Sequence, residues 1–155
     1  MWYLVSGWKH SYDNDSTFYF NRSNGTWSSN SYAVVGGEHT VIAHEYKYPT
    51  VVGDTFDTQA SIGWPYPGQI EKEFRKTIST NESVAIPLGT FACIHYRRYL
   101  QYVDSATSNV LQQDTLADQF VTPGIGEIKL DEYFFVGLKN EPRTRETILK
   151  SYKFK

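Results

Sequence analysis

Asn24-Gly25 lies between two runs rich in aromatic and β-branched residues, Thr17–Phe20 (TFYF) and Thr26–Val35 (TWSSNSYAVV). A two-residue type I′ turn needs positive φ at both central positions, and Asn-Gly meets that need better than most dipeptides. The sequence therefore predicts a β-hairpin here with Asn24 and Gly25 at its tip. Gly36-Gly37 then separates the second strand from Thr40–Tyr48 (TVIAHEYKY), so at least three antiparallel strands follow as a meander. Similar punctuation recurs at Pro49, Gly53-Asp54, Trp64–Gly68 (WPYPG), Asp104–Asn109, Pro123-Gly124 and Asn140–Pro142. No fixed-period repeat, low-complexity segment or linker divides the chain, which predicts one β domain over 1–155.

Composition agrees with strands. The 12 Tyr, 9 Phe and 4 Trp make 16% of the 155 residues, and such side chains favour a pleated, half-buried surface. No apolar run approaches the roughly 20 residues a membrane helix needs. The 15 basic and 17 acidic residues are interspersed and sum to a formal net charge of −2, which argues against a nucleic-acid partner. Cys93 is the only cysteine, so a disulfide scaffold is excluded. Met1-Trp2-Tyr3-Leu4-Val5 shows neither a basic n-region nor an apolar stretch of signal-peptide length, so the expectation is a cytosolic protein or one whose leader has been removed. Sequons at Asn14, Asn21, Asn24 and Asn81 are expected by chance in a chain this rich in Asn, Ser and Thr.

Two segments test the alternation. In Gln69–Thr80 (QIEKEFRKTIST), Ile70, Phe74 and Ile78 are spaced by four, which suits a helix face as well as alternate positions of a strand. The flanks favour a strand that turns through Asn81-Glu82 into Ser83–Leu88, making a hairpin. Further on, Phe91, Cys93 and His95 fall on one face of a strand, and Thr144–Lys155 reads as a terminal strand with one wet side.

Three stretches resemble a broad group of bacterial exported, lipoprotein-like β-proteins, whose half-barrel is similar to lipoprotein carriers of the LolA kind. Tyr48–Phe56 (YPTVVGDTF) is similar to the group's YPxxVGDxW/F opening, Val84–Cys93 (VAIPLGTFAC) to its VxVPAGTFxC strand pair, and Phe120–Lys129 (FVTPGIGEIK) to YxAPGVGLVK. Leu149–Tyr152 resembles the usual closing strand, and the resemblance runs from about Tyr46 to the C-terminus, leaving residues 1–45 outside it. Phe56 stands where Trp is common, and Leu88 and Thr122 where Ala is. The resemblance implies an all-β fold, a curved antiparallel sheet or half-barrel with meander connections and little helix. It also implies export to the cell envelope, periplasm or exterior, and no particular reaction. The motifs themselves read as structural: Pro87 lacks an N–H, Gly89 and Gly124 can take positive φ, and Gly126 leaves space for a neighbour.

Candidate chemistry is sparse. A Cys93–His95 thiolate pair could be a nucleophile, yet residues two apart on a strand do not usually converge, so a buried structural cysteine is expected. His39, His44 and Glu45 are metal-ligand types, but His44 and Glu45 point to opposite faces. Asp13-Asn14-Asp15 begins like a calcium loop, but Phe18 and Asn24 occupy the positions that need Gly and Glu. Glu71 and Glu73, beside Lys72, Arg75 and Lys76, read as a solvated face rather than a glycosidase pair. No catalytic, metal or cofactor site is assigned. The aromatics, Trp2, Trp8, Trp27 and Trp64 among them, are expected mainly in the core, and Trp64 and Tyr66 in the double-proline loop are the candidate contacts to a ligand or partner. The expected function is non-enzymatic: binding of an apolar or lipid-like ligand, or a structural role. The alternative is glycan or protein recognition through surface aromatics.

Overall fold

The computed structural model describes residues 3–5, 16–34, 37–57, 68–136 and 141–151, with side chains over 22–27, 45–56, 68–133 and 144–151. Among these every regular element is a strand and every pairing is antiparallel. Among the described residues no helix is long and apolar enough to cross a membrane. Residue contacts group into two compact units, the first taking in the chain to Pro49 and the second Thr50–Asp57 and Gly68 onward.

The first unit carries a sheet in the order β1 (Tyr3–Val5), β2 (Ser16–Arg22), β3 (Gly25–Val34), β4 (Gly37–Lys47). The hairpin expected at Asn24-Gly25 forms one residue earlier. Arg22 pairs with Gly25, so Ser23 and Asn24 are the turn residues. Gly25 takes φ 141° while Asn24 keeps an ordinary φ, so no type I′ turn exists. The glycine is used where the second strand resumes, and Asn24 Oδ1 accepts the indole N–H of Trp27 at 3.1 Å.

The second unit carries an open sheet of six strands, a meander in the order β10-β9-β8-β7-β6-β5. Its members are β5 (Thr55–Asp57), β6 (Gln69–Ile86), β7 (Gly89–Asp104), β8 (Val110–Thr122), β9 (Gly126–Val136) and β10 (Glu141–Ile148). The segment over 69–80 is strand. The hairpin expected at Asn81-Glu82 is replaced by one continuous strand of 18 residues, and the chain turns instead at Pro87-Leu88, where Ile86 pairs with Gly89. Asn81 sits in a register shift between Ser79 and Glu82, so its polarity marks a bulge and not a turn. The terminal strand ends at Ile148, earlier than expected; Leu149 leaves it to pack against the core, and Tyr152 and Phe154 lie outside the described residues.

The three motif stretches do structural work in this sheet. Thr50–Phe56 docks on the outer edge of β6: Gly53 N–H donates to Thr77 O at 2.9 Å, Thr77 N–H to Asp54 O at 2.8 Å, and the Thr50 and Thr77 hydroxyls are 2.8 Å apart. Phe56 then meets Tyr96 edge-on at 5.7 Å. Gly89 (φ 136°) closes the β6–β7 turn and Gly124 (φ 85°) the β8–β9 turn. The core holds Val84, Cys93, Phe120 and Ile128, with Ile86, Phe91, Ile125 and Leu149 partly buried against it. Ile128 is the extra residue of a bulge, because Phe120 pairs with Lys129 while Val121 pairs with Glu127.

Candidate functional site

Alternation along β7 puts Cys93, His95 and Arg97 on one face, as expected, and antiparallel register brings Glu82, Asp118 and Phe120 to that face from both sides. One row crosses all six strands, Thr55–Lys76–Arg97–Asp118–Asp131–Glu146, with its cations on the β6–β7 half and its carboxylates on the β8–β10 half. Opposite charges on neighbouring strands stabilise such a face, while the like pair Asp118–Asp131 needs separate counter-charges. Lys129 supplies one, at 3.0 Å from Asp131 and 2.9 Å from Glu146, and those bonds hold its ammonium above the usual lysine range.

Asp118 is the centre of the face. It is buried, and its carboxylate accepts His95 Nε2 at 2.8 Å, Arg97 Nε at 2.7 Å, Arg97 Nη2 at 3.0 Å and the Tyr133 hydroxyl at 2.7 Å. Burial disfavours the charge, but the donors from His95, Arg97 and Tyr133 outweigh it and hold the carboxyl well below its usual range. Burial and the bond to Asp118 push the Tyr133 phenol up to about 12, and the same carboxylate raises Arg97 further above its ordinary value. His95 stacks on Phe120 at 4.5 Å and places its other nitrogen, Nδ1, 2.9 Å from Glu82 Oε2. Two carboxylates on two ring nitrogens favour the imidazolium, the form in which both nitrogens donate. Burial alone would lower its pKa; Asp118 and Glu82 prevail and raise it.

While it is protonated, His95 presents no lone pair, and both its nitrogens are taken by carboxylates. The Cys93–His95 pair does not form: Cys93 Sγ lies 3.5 Å from Thr122 Oγ1 and 3.8 Å from Phe91 O, and burial pushes the thiol up. Cys93 is buried, as a structural cysteine would be.

Of Glu71, Glu73, Lys72, Arg75 and Lys76, read as a solvated face, alternation puts Glu71, Glu73 and Arg75 on the opposite face, and the reading fails at Arg75. Lys72 and Lys76 are exposed, but Arg75 is buried, donating from Nε to Gln119 Oε1 at 2.7 Å, while Gln119 Nε2 donates to Glu127 at 3.1 Å. Glu73 lies 3.7 Å from Arg98. On the same face Thr77 is fully buried beside its cross-strand partner Tyr96 of β7.

Of the other candidates, Trp64 and Tyr66 lie outside the described residues, as do Asp13-Asn14-Asp15 and the side chains of His39 and His44. Among the described residues no group of three or more His, Cys, Asp or Glu side chains is placed to hold a metal ion. Sequence reasoning missed Glu82, Asp118 and Tyr133; the one available signal was a carboxylate alternating with Leu116 and Phe120 at the strand end LADQFV. Compared with known protein families, curated proteins and solved structures, the chain matches none.

Proposed function

We propose that this chain is a non-catalytic β-protein of the cell envelope or exterior whose six-stranded sheet seats an apolar or lipid-like ligand. The observation that carries this reading is the overhang of the β6–β7 hairpin. β7 pairs with β8 only from Ile94 onward, so the stretch from Gly89 to Cys93 lacks that neighbour in the ladder among the described residues. The apolar side chains of this hairpin, Ile86 and Phe91, are partly buried against Val84, Cys93, Phe120 and Ile128, and Leu88 at the tip is exposed. Partly covered apolar surface beside a packed core is what an acyl chain or similar group can finish burying. The occupation of both His95 nitrogens by Glu82 and Asp118 supports a non-catalytic role, and the three motif stretches support export.

Organic extraction of detergent-free protein, with mass spectrometry of the extract, is the first test, and titration with cis-parinaric acid the second. The expected results are a co-purifying acyl lipid and saturable probe binding that Phe91→Ser weakens about tenfold or more. An empty extract together with no saturable binding overturns the reading.

A further inference from the structure

The β6–β7 ladder is regular except between Thr77 and Ser79 and between Ser79 and Glu82, where Thr80 and Asn81 on β6 face the single residue Ile94 on β7. Both are exposed. Just beyond this bulge, Glu82 reaches back to His95 Nδ1, and the same ring reaches Asp118 on β8 through Nε2. One imidazole thus joins three strands at the point where backbone pairing of β6 is weakest.

We infer that Glu82, His95 and Asp118 form a proton-operated clasp: the charged ring fastens the bulged stretch of β6 to β7 and β8, and loss of one proton releases Glu82 and loosens that stretch. The reasoning is one of donor count. A neutral imidazole has one N–H and one lone pair, so one of the two carboxylates must then face a lone pair. Asp118 cannot move away, because Arg97 and Tyr133 also hold it and its side chain is 8% exposed. Glu82, 40% exposed, can turn to water. The remaining proton therefore stays on Nε2, and the Glu82 bond is the one that breaks.

The surrounding groups agree with this order. From β6 the ring is faced by Glu82 and Ser79, with exposed Lys76 further along the same face; from β7 by Cys93 and Arg97; from β8 by Asp118, Phe120 and Thr122. From β9, Tyr133 acts through Asp118 and Lys129 lies over Phe120 at 5.8 Å, its charge taken by Asp131 and by Glu146 of β10. Arg97 and Lys129 favour losing the ring proton; the two carboxylates in direct contact favour keeping it, and His95 is raised on balance. The clasp is closed in mild acid and opens as pH rises through the raised value.

Proton NMR titration of the full chain, with hydrogen exchange of the amides over 79–84 corrected for intrinsic pH dependence, tests this directly. His95 should titrate above the ordinary imidazole value of about 6.5, and exchange over 79–84 should rise about tenfold across the same pH interval. Glu82→Gln should abolish that rise, because its amide can accept from an N–H or donate to a lone pair. The His95 resonance, assigned by its loss in His95→Asn, serves if the exchange window is narrow. A His95 pKa at or below the ordinary value, protection that ignores the titration, or an unchanged rise in Glu82→Gln would overturn the clasp.

Discussion

Asp118 shows how one buried carboxylate can be kept ionised by neighbours on the two flanking strands, β7 and β9. Asp118→Asn would take from Arg97 its counter-charge and leave His95 only that of Glu82, and breaking a buried pair in this way costs about 3–5 kcal/mol. The pH dependence follows from two opposite shifts. Asp118 is depressed, so its contribution is complete above the unfolded carboxylate value of about 3.9 and is lost as pH falls through the lower folded value. His95 is raised, so its contribution is complete below about 6.5 and is lost as pH rises through the higher folded value. The stability gap between the native protein and Asp118→Asn should therefore be widest from about pH 4 to 6.5, as read by urea unfolding across that range. A gap that widens steadily toward alkaline pH contradicts this. Cys93 is a second case, since burial keeps its thiol protonated and out of reach. Thiol reagents should label it at the rate of unfolding, and labelling of the folded protein at the rate of a free thiol is the contrary result.

Bulges decide what the long strands present. At the β8–β9 register shift the extra residue is Ile128, fully buried among Val84, Cys93 and Phe120. Ile128→Ala should cost about 2–5 kcal/mol, because a cavity opens where the backbone is already irregular and cannot collapse freely. The neighbouring turn depends on Gly124 at φ 85°, where an added Cβ meets nothing within 4 Å. Gly124→Ala should still cost about 1–2 kcal/mol, since the penalty lies in the backbone conformation and not in crowding. Denaturant midpoints of the two variants measure both effects. A neutral Gly124→Ala would mean that the turn can change type. In β6, the bulge around Thr80 and Asn81 sets Glu82 opposite Cys93 and within reach of His95, so a shift of one residue there would dissolve the clasp.

Two antiparallel sheets account for all the regular structure described, so the far-UV circular dichroism of the protein should lack helical minima. The open sheet buries its centre well, yet Ile70, Val110, Leu111 and Leu88 remain exposed near its ends. If an apolar ligand completes that burial, mass action links its occupancy to stability: free ligand at about 100 times Kd adds about 2.7 kcal/mol. Protein stripped of lipid should melt at lower temperature than protein as purified, and re-addition of an acyl ligand should restore the difference. Equal melting temperatures before and after stripping argue against the ligand.

The amino-acid sequence by itself determined the all-β class, the meander, the shared face of Cys93, His95 and Arg97, and the positive-φ glycines after Pro87 and Pro123. These are local consequences of side-chain alternation and turn chemistry, each readable within a few residues. It misplaced the first hairpin tip by one residue and read a turn at Asn81-Glu82, because polar residues mark bulges as readily as turns and only a partner strand distinguishes them. The surroundings of His95 were beyond its reach. Glu82, Asp118 and Tyr133 come from three other strands, 13, 23 and 38 positions away along the chain. Their meeting depends on register, and register is summed over every bulge between them, so only the folded sheet could decide that a histidine two residues from a cysteine would pair with two carboxylates instead.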